Sequence, residues 1–300
     1  LKSKINIDLF EYETYKGNEI IDLRLINFDL FDIKYHNGRN HLKAKQYVGV
    51  AQFGDLRVSV LPKIYSGQSN INSQKEAINN FLYMLSFVNN IDNIKYFDSD
   101  NNFQKNNILE ILVYLFASKL FTTLKKKIAK NYVVIDDESY FLKGKWRLSE
   151  QLKTIPHIKH KFLVSYDEFT ENNFMNQVFK FVCKFLMYYI EDNKTINLLR
   201  NIELIFCDVD DISFPNLTLV DKVIFNRTNS EFKFPFELAK IFLKKLSLDL
   251  NDRKHQNYVF MFDMNLLFEQ YIAKSMQNAL RNHKSYHLEI QKANRNLLIS

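Results

Sequence analysis

Tyr47-Val48-Gly49-Val50-Ala51-Gln52-Phe53-Gly54-Asp55-Leu56-Arg57-Val58-Ser59-Val60-Leu61 consists of two apolar, β-branched runs joined at Phe53-Gly54-Asp55. Runs with a period near two, bounded by glycine turns, predict paired strands. His36-Asn37-Gly38-Arg39 adds a turn signal upstream. Of the six glycines, Gly17, Gly38, Gly49, Gly54 and Gly67 fall in this first part, and only Gly144 follows. The reading is a small β-rich domain over 1–68.

Ser66-Gly67-Gln68-Ser69-Asn70-Ile71-Asn72-Ser73 reads as a polar linker, after which the apolar period changes from two to about 3.6. Leu109, Leu112, Phe116, Leu120, Leu124 and Ile128 step by three or four along one helix face, and Lys125-Lys126-Lys127 suits that helix's negative end. Tyr132-Val133-Val134-Ile135, a turn at Asp136-Asp137-Glu138-Ser139, and Tyr140-Phe141-Leu142 predict a hairpin or extended arm leading to Gly144. A second helix is expected after Thr170 as N-cap, with Phe174, Val178, Phe181, Val182, Phe185 and Tyr189 at helical spacing. A third covers Phe236 to Leu248, starting just after Pro235, and the last runs from about Asp263, its cap, to Asn282. Tyr286 to Ile290 and Leu297 to Ile299 look like strands of a further domain, cut off at Ser300. The expected division is 1–68, 75–250 and 255–300.

The composition narrows the class. Hydrophobic residues are 46% and charged residues 25% of 300, an ordinary globular balance that excludes disordered and fibrous chains. No run approaches the roughly 18 apolar residues of a membrane span, and Leu1-Lys2-Ser3-Lys4 opens no signal peptide, so a cytoplasmic protein is expected. Cys183 and Cys207 lack CxxC partners and are expected as buried, reduced thiols. The net charge of +7, with a pI near 9.1, is compatible with nucleic acid but partly reflects a Lys- and Asn-rich bias typical of AT-rich genomes.

Several chemistries are absent. Gly144-Lys145 is followed by Trp146 where a phosphate-binding loop requires Ser or Thr, and no GxSxG, HExxH or GxGxxG occurs. His157 and His160 lack a carboxylate or Cys at metal-site spacing. Asp208, Asp210 and Asp211 read as a loop or helix cap rather than a Ca²⁺ loop. Glu269 shares a helical stripe with Leu266, Ala273 and Met276, while Leu267 and Tyr271 occupy another face. A carboxylate held against apolar neighbours needs compensation, and both a Mg²⁺ site and an ion pair with Lys274 or Arg281 would supply it.

Four segments together resemble the McrC family, the nuclease subunit of McrBC modification-dependent restriction systems. They are Leu142-Lys143-Gly144-Lys145-Trp146-Arg147-Leu148, the block Val164 to Gln177 with Asp167, Asn172 and Asn176, the run Phe260 to Glu269, and Tyr47-Val48-Gly49-Val50 with Leu61-Pro62-Lys63-Ile64. Asn172 stands where an Asp is common in the family, and Gln177 where a basic residue is common.

The resemblance implies an α+β chain with an N-terminal β-rich domain, a mainly helical middle carrying a β-hairpin arm at about 131–148, and the start of a PD-(D/E)xK-like nuclease domain. It implies a McrB-like AAA+ GTPase ring that binds the GTP, stimulated by the arm, with Lys143, Lys145 and Arg147 meeting the ring. It also implies double-stranded modified DNA as target and Mg²⁺ for the nuclease. Glu269 corresponds to the helix-borne acid of that nuclease fold, whose Asp and later Asp/Glu-x-Lys pair does not occur before Ser300. The alternative is a non-catalytic DNA-binding or ring-regulating protein. Tyr and Phe in 1–68 read as core residues rather than as base-stacking surfaces.

Overall fold

A computed structural model describes residues 5–15, 29–36, 39–63, 71–91, 107–153, 160–246 and 257–281. Its first elements are β1 (Ile5–Phe10), β2 (Phe31–His36), β3 (Arg39–Ala44), β4 (Tyr47–Phe53), β5 (Leu56–Leu61), α1 (Ile71–Val88) and α2 (Ile108–Leu124). β6 to β8 and α3 to α7 follow and are placed below; β9 (Asn257–Asp263) and α8 (Met264–Leu280) close the described chain. Contacts divide it into two units, Leu1–Leu112 with Lys244–Ser300, and Val113–Leu243.

In the first unit, β4 and β5 form the expected antiparallel hairpin, with Gly54 at φ +61° in its turn. The sheet order is β1-β5-β4-β9, with β1 parallel to β5 and β9 antiparallel to β4. The run placed by sequence at the entry to a C-terminal domain is therefore the fourth strand of the N-terminal sheet. All of β5 is buried because both sheet faces are covered. One face packs Ile7, Leu9, Ala51, Val58, Val60 and Met261 with Phe31 and Leu42 of the separate β2–β3 pair. On the other, Phe260 and Phe262 pair with Val50 and Val48, and Phe262 meets Phe81 of α1 edge-on at 5.3 Å.

Ile78, Phe81, Leu82 and Leu85 form the buried stripe of α1, which ends before Asn90 in a left-handed conformation at φ +53°. Lys274 of α8 donates to the carbonyls of Phe87 and Val88 and to Asn90 Oδ1, satisfying helix-end acceptors with a cation. Buried Arg57 of β5 lies 3.8 Å from buried Glu110 in the first turn of α2, a pairing that keeps either charge from being stranded.

The second unit contains the rest of α2, β6 (Asn131–Ser139), β7 (Lys145–Trp146), α3 (Leu148–Gln151), β8 (Phe162–Thr170), α4 (Phe174–Leu186), α5 (Asn193–Ile205), α6 (Leu217–Asp221) and most of α7 (Lys233–Leu246). Phe179 is the hub of its core, with the rings of Phe116, Phe206, Phe232 and Phe236 centred 5.5–6.5 Å away.

Several local expectations are corrected. Asp136 to Ser139 continue β6 instead of turning, since each pairs with a residue of β8. The N-cap of α4 is Asn173, not Thr170, because the Asn173 side chain accepts from Asn176 N. α7 starts at Lys233, so Pro235 lies in its first turn, where no intrahelical N–H is needed. Cys183 is buried, which pushes its thiol pKa up, but Cys207 is exposed. The strands expected over 286–290 and 297–299, His157, and most of the 66–73 linker lie outside the described residues. Among those described, no helix is long and apolar enough to cross a membrane.

Gly49 sits at φ +142° opposite Met261, and a Cβ there would fall 2.0 Å from the Phe260 carbonyl oxygen. Gly49→Ala is expected to cost about 3 kcal/mol or more. Guanidinium unfolding measures it, and a variant as stable as the parent would refute this account of the β4–β9 contact.

Candidate functional site

The arm is a three-stranded sheet in the order β6-β8-β7. β6 and β8 pair over nine residues, from Asn131 opposite Thr170 to Ser139 opposite Phe162. The two-residue β7 covers part of the other edge of β8, Lys145 opposite Ser165 and Trp146 opposite Val164. Arg147 N then donates to Leu163 O at 2.8 Å, and the Gln151 amide donates to Lys161 O and accepts from Leu163 N. A side chain thus continues the ladder where the backbone has turned into α3, and the β8 edge gains partners.

Gly144, at φ +69°, makes this return possible: a Cβ would lie 2.5 Å from Ser165 O and 2.7 Å from Tyr166 Cβ. On one face of the arm Trp146 leans edge-on against Phe162 at 5.7 Å, beside buried Val164. Lys143 Nζ sits 3.6 Å from the Tyr166 ring centre, a cation–π contact. Arg147 bridges Asp136, at 3.2 Å, and Glu150, and the Glu150 hydrogen bond holds its guanidinium pKa above the usual value. Of the three cations singled out from sequence, Lys143 and Arg147 are engaged within the arm, and Lys145 is exposed.

Beside its charged groups, the arm exposes several large apolar side chains. Tyr140, Phe141 and Leu142, expected as the second strand of a hairpin, lie between β6 and β7 with Phe141 80% exposed. Leu152 is 78% exposed, and Tyr132, exposed like Val134, lies with its ring tilted against that of exposed Phe169, centres 5.0 Å apart. The signal in the sequence was three large apolar residues in a row, Tyr140-Phe141-Leu142, ahead of Lys143-Gly144, with no alternation to bury them.

The Val164–Gln177 block anchors the arm's base. Ala129 O, two residues before β6, accepts from Asn173 Nδ2 at 2.9 Å and Asn176 Nδ2 at 2.8 Å. Asn176 also donates to Glu171 O, and Glu171 pairs with Lys130 at 2.9 Å. Both strands of the hairpin are thereby tied to the first turn of α4. Asn173 was missed in the sequence, although Asn immediately before an apolar helical run is an N-cap signal. Asn172 accepts from Asp210 N and from Gln177 Nε2 at 2.8 Å. The Asn172–Gln177 amide pair occupies the positions where the resemblance has an acid and a base, so a neutral contact stands there. Asp167 is exposed on β8 opposite Val134.

Glu269 belongs to the first unit and is exposed rather than half-buried. Leu266 and Met276 of its stripe are exposed too, because α8 directs Leu267, Tyr271 and Lys274 inward. Among the described residues no group of three or more His, Cys, Asp or Glu is placed to hold a metal ion. Asp211, in the acidic knot, is paired with Lys180 and Lys184, and the Lys184 hydrogen bond holds its carboxyl below the usual range.

Residues 42–300 match the model of the McrBC 5-methylcytosine restriction system component family. The chain belongs to that family. Among solved structures, it is similar to a chain of the cryo-EM structure of the Thermococcus gammatolerans McrBC complex, at 25% identity and TM-score 0.64 over 94% of this chain and 89% of that one. A refined half-complex from a tetradecameric assembly of Thermococcus gammatolerans McrB AAA+ hexamers with bound McrC matches 92% of this chain and 70% of that one. At 24% identity and TM-score 0.65, this second likeness speaks to the fold. No curated protein matches the chain. Within the McrBC family the chain is McrC-like, with the α+β architecture of that subunit.

Changing Asn173 and Asn176 together to Ala is expected to cost about 2–4 kcal/mol and to speed hydrogen exchange of the β6 amides. Unchanged exchange in β6 would refute their role as the arm's anchor.

Proposed function

We propose that this chain is the McrC-like subunit of a GTP-dependent restriction endonuclease acting on modified double-stranded DNA in the cytoplasm, and that its arm stimulates a McrB-like AAA+ GTPase ring. The observation that carries the reading is the arm's surface: a rigidly anchored sheet that exposes Tyr140, Phe141, Leu142 and Leu152. Contiguous exposed apolar side chains on a folded element mark a protein-binding surface. McrC is bound to McrB hexamers in the Thermococcus gammatolerans assembly, and a ring of that kind is the partner proposed here.

GTP belongs to the partner in this reading, in keeping with the lack of a phosphate-binding loop. The arm contributes apolar anchors at the tip and the exposed ammonium of Lys145 beside them. Lys143 and Arg147 hold the arm in shape. Cleavage of the DNA is assigned to the nuclease-like end of the chain, with Mg²⁺ as its metal. Glu269 is retained there as an acid on an exposed helix face, with no reaction step assigned to it.

The test is the GTPase rate of the cognate ring with and without the chain. Changing Tyr140, Phe141 and Leu142 to Ser is expected to weaken stimulation by at least about 30-fold in half-maximal concentration, as loss of buried anchors does. Lys145→Ala is expected to change it less and to alter its salt dependence. A folded parent chain that leaves the GTPase rate unchanged would sink the proposal.

A further inference from the structure

The first unit contains a cleft of about 620 Å³ that the arm and its partner do not account for. It opens where the parallel strands β1 and β5 end, between α1 and α8. Crevices beyond the carboxyl ends of parallel strands are recurrent ligand sites, and this volume suits a small planar molecule with room for its substituents. Four aromatic rings line it: Tyr12 after β1, Tyr83 on α1, and Phe268 and Tyr271 on α8.

Tyr12, Tyr83 and Phe268 are all exposed, about half their surface open. Tyr12 is held at φ +63°, a backbone conformation that bulky side chains seldom adopt. Tyr83 is stacked on Phe87 at 6.2 Å and stands edge to face with Tyr271 at 6.0 Å, so one side of its ring is packed within the unit, while 43% of its surface stays open for a further aromatic system.

The polar lining decides among ligands. Asn80, Asn265 and Glu11 offer amide and carboxyl groups at the wall. An anion is disfavoured: the first-turn N–H groups of Asn265 and Leu266 already donate to Asp263 Oδ1, and Glu11 adds a carboxyl. A simple cation is disfavoured as well. Lys63 lines the same cleft, its backbone N–H donates to Glu11 Oε2 at 3.0 Å, and burial pushes the Glu11 carboxyl pKa up.

We infer that this cleft binds an unpaired nucleobase, stacked on Tyr83 and Phe268, with its amino and ring-nitrogen edge directed to Glu11 and Asn80. The sequence concealed the site because its rings come from three distant segments. The inference is independent of the proposed role of the arm.

The probe is 2-aminopurine, whose fluorescence falls on stacking, supplied as the free riboside, within a single-stranded oligonucleotide and within a duplex. The full-length protein is expected to quench the unpaired forms and not the duplex. Quenching of the strand but not the riboside identifies a base of DNA as the ligand; equal quenching identifies a free nucleoside. Tyr83→Ala and Phe268→Ala, both at exposed positions, are expected to weaken binding roughly 5- to 100-fold each. Both variants are expected to keep stimulating the ring, and the Tyr140/Phe141/Leu142 variant to keep quenching. No quenching, equal quenching in duplex, or quenching unchanged in both ring variants would overturn the inference. So would binding of choline with no response to any form of the base, which would mark a cation cage.

Discussion

The β4–β9 pairing leaves no room for a methyl group at Gly49, and the first unit is organised around that contact. It joins strands from opposite ends of the chain and completes a sheet whose two faces then carry separate cores. Met261 and Phe262, neighbours in sequence, point into different ones. Val113–Leu243 is an insertion in the sequence of this unit. A contact with so large a sequence separation costs loop-closure entropy, which rises only slowly with loop length. Burial on both faces of β4 and β5 offsets it.

The arm solves a different problem. A short sheet with few apolar residues inside it cannot rely on burial, so it depends on satisfied backbone groups at its edges and base. Gln151 replaces a missing strand residue, and Asn173 and Asn176 converge on one carbonyl. Ion pairs at this exposed surface, such as Arg147 with Asp136, fix side-chain directions more than they stabilise. The apolar side chains thereby released from structural duty are the ones available to a partner.

Much of the fold was legible because its signals are local. The hairpin at Gly54, the helix faces of α2 and α4, and the Asp263 cap of α8 all follow from spacing within a few residues. The resemblance to the McrC family likewise rested on short segments in order. What spacing does not record is which distant strand will pair. Phe260 to Asp263 read as a domain entry because nothing nearby in sequence points to β4, and Asp136 to Ser139 read as a turn because their partners, Ser165 to Phe162, lie beyond the reach of local spacing. Glu269 was misplaced for a related reason: the exposed side of α8 carries Leu266, Phe268 and Met276, so periodicity alone named the wrong face. The aromatic cleft could not be read at all, because its rings come from three segments far apart in sequence.

The same long-range pairing bears on how the chain is made. A ribosome delivers β4 about two hundred residues before β9, and at roughly 5–20 residues per second that is an interval of about 10–40 seconds. Throughout it, one edge of β4 presents unpaired backbone groups beside an apolar run, a template for strands of other nascent chains. Unit Val113–Leu243 has every residue it needs before β9 emerges. The nascent protein therefore passes through a stage with a complete second unit and an open-edged first one, and molecular chaperones that shield extended apolar segments have their target between Tyr47 and Leu61.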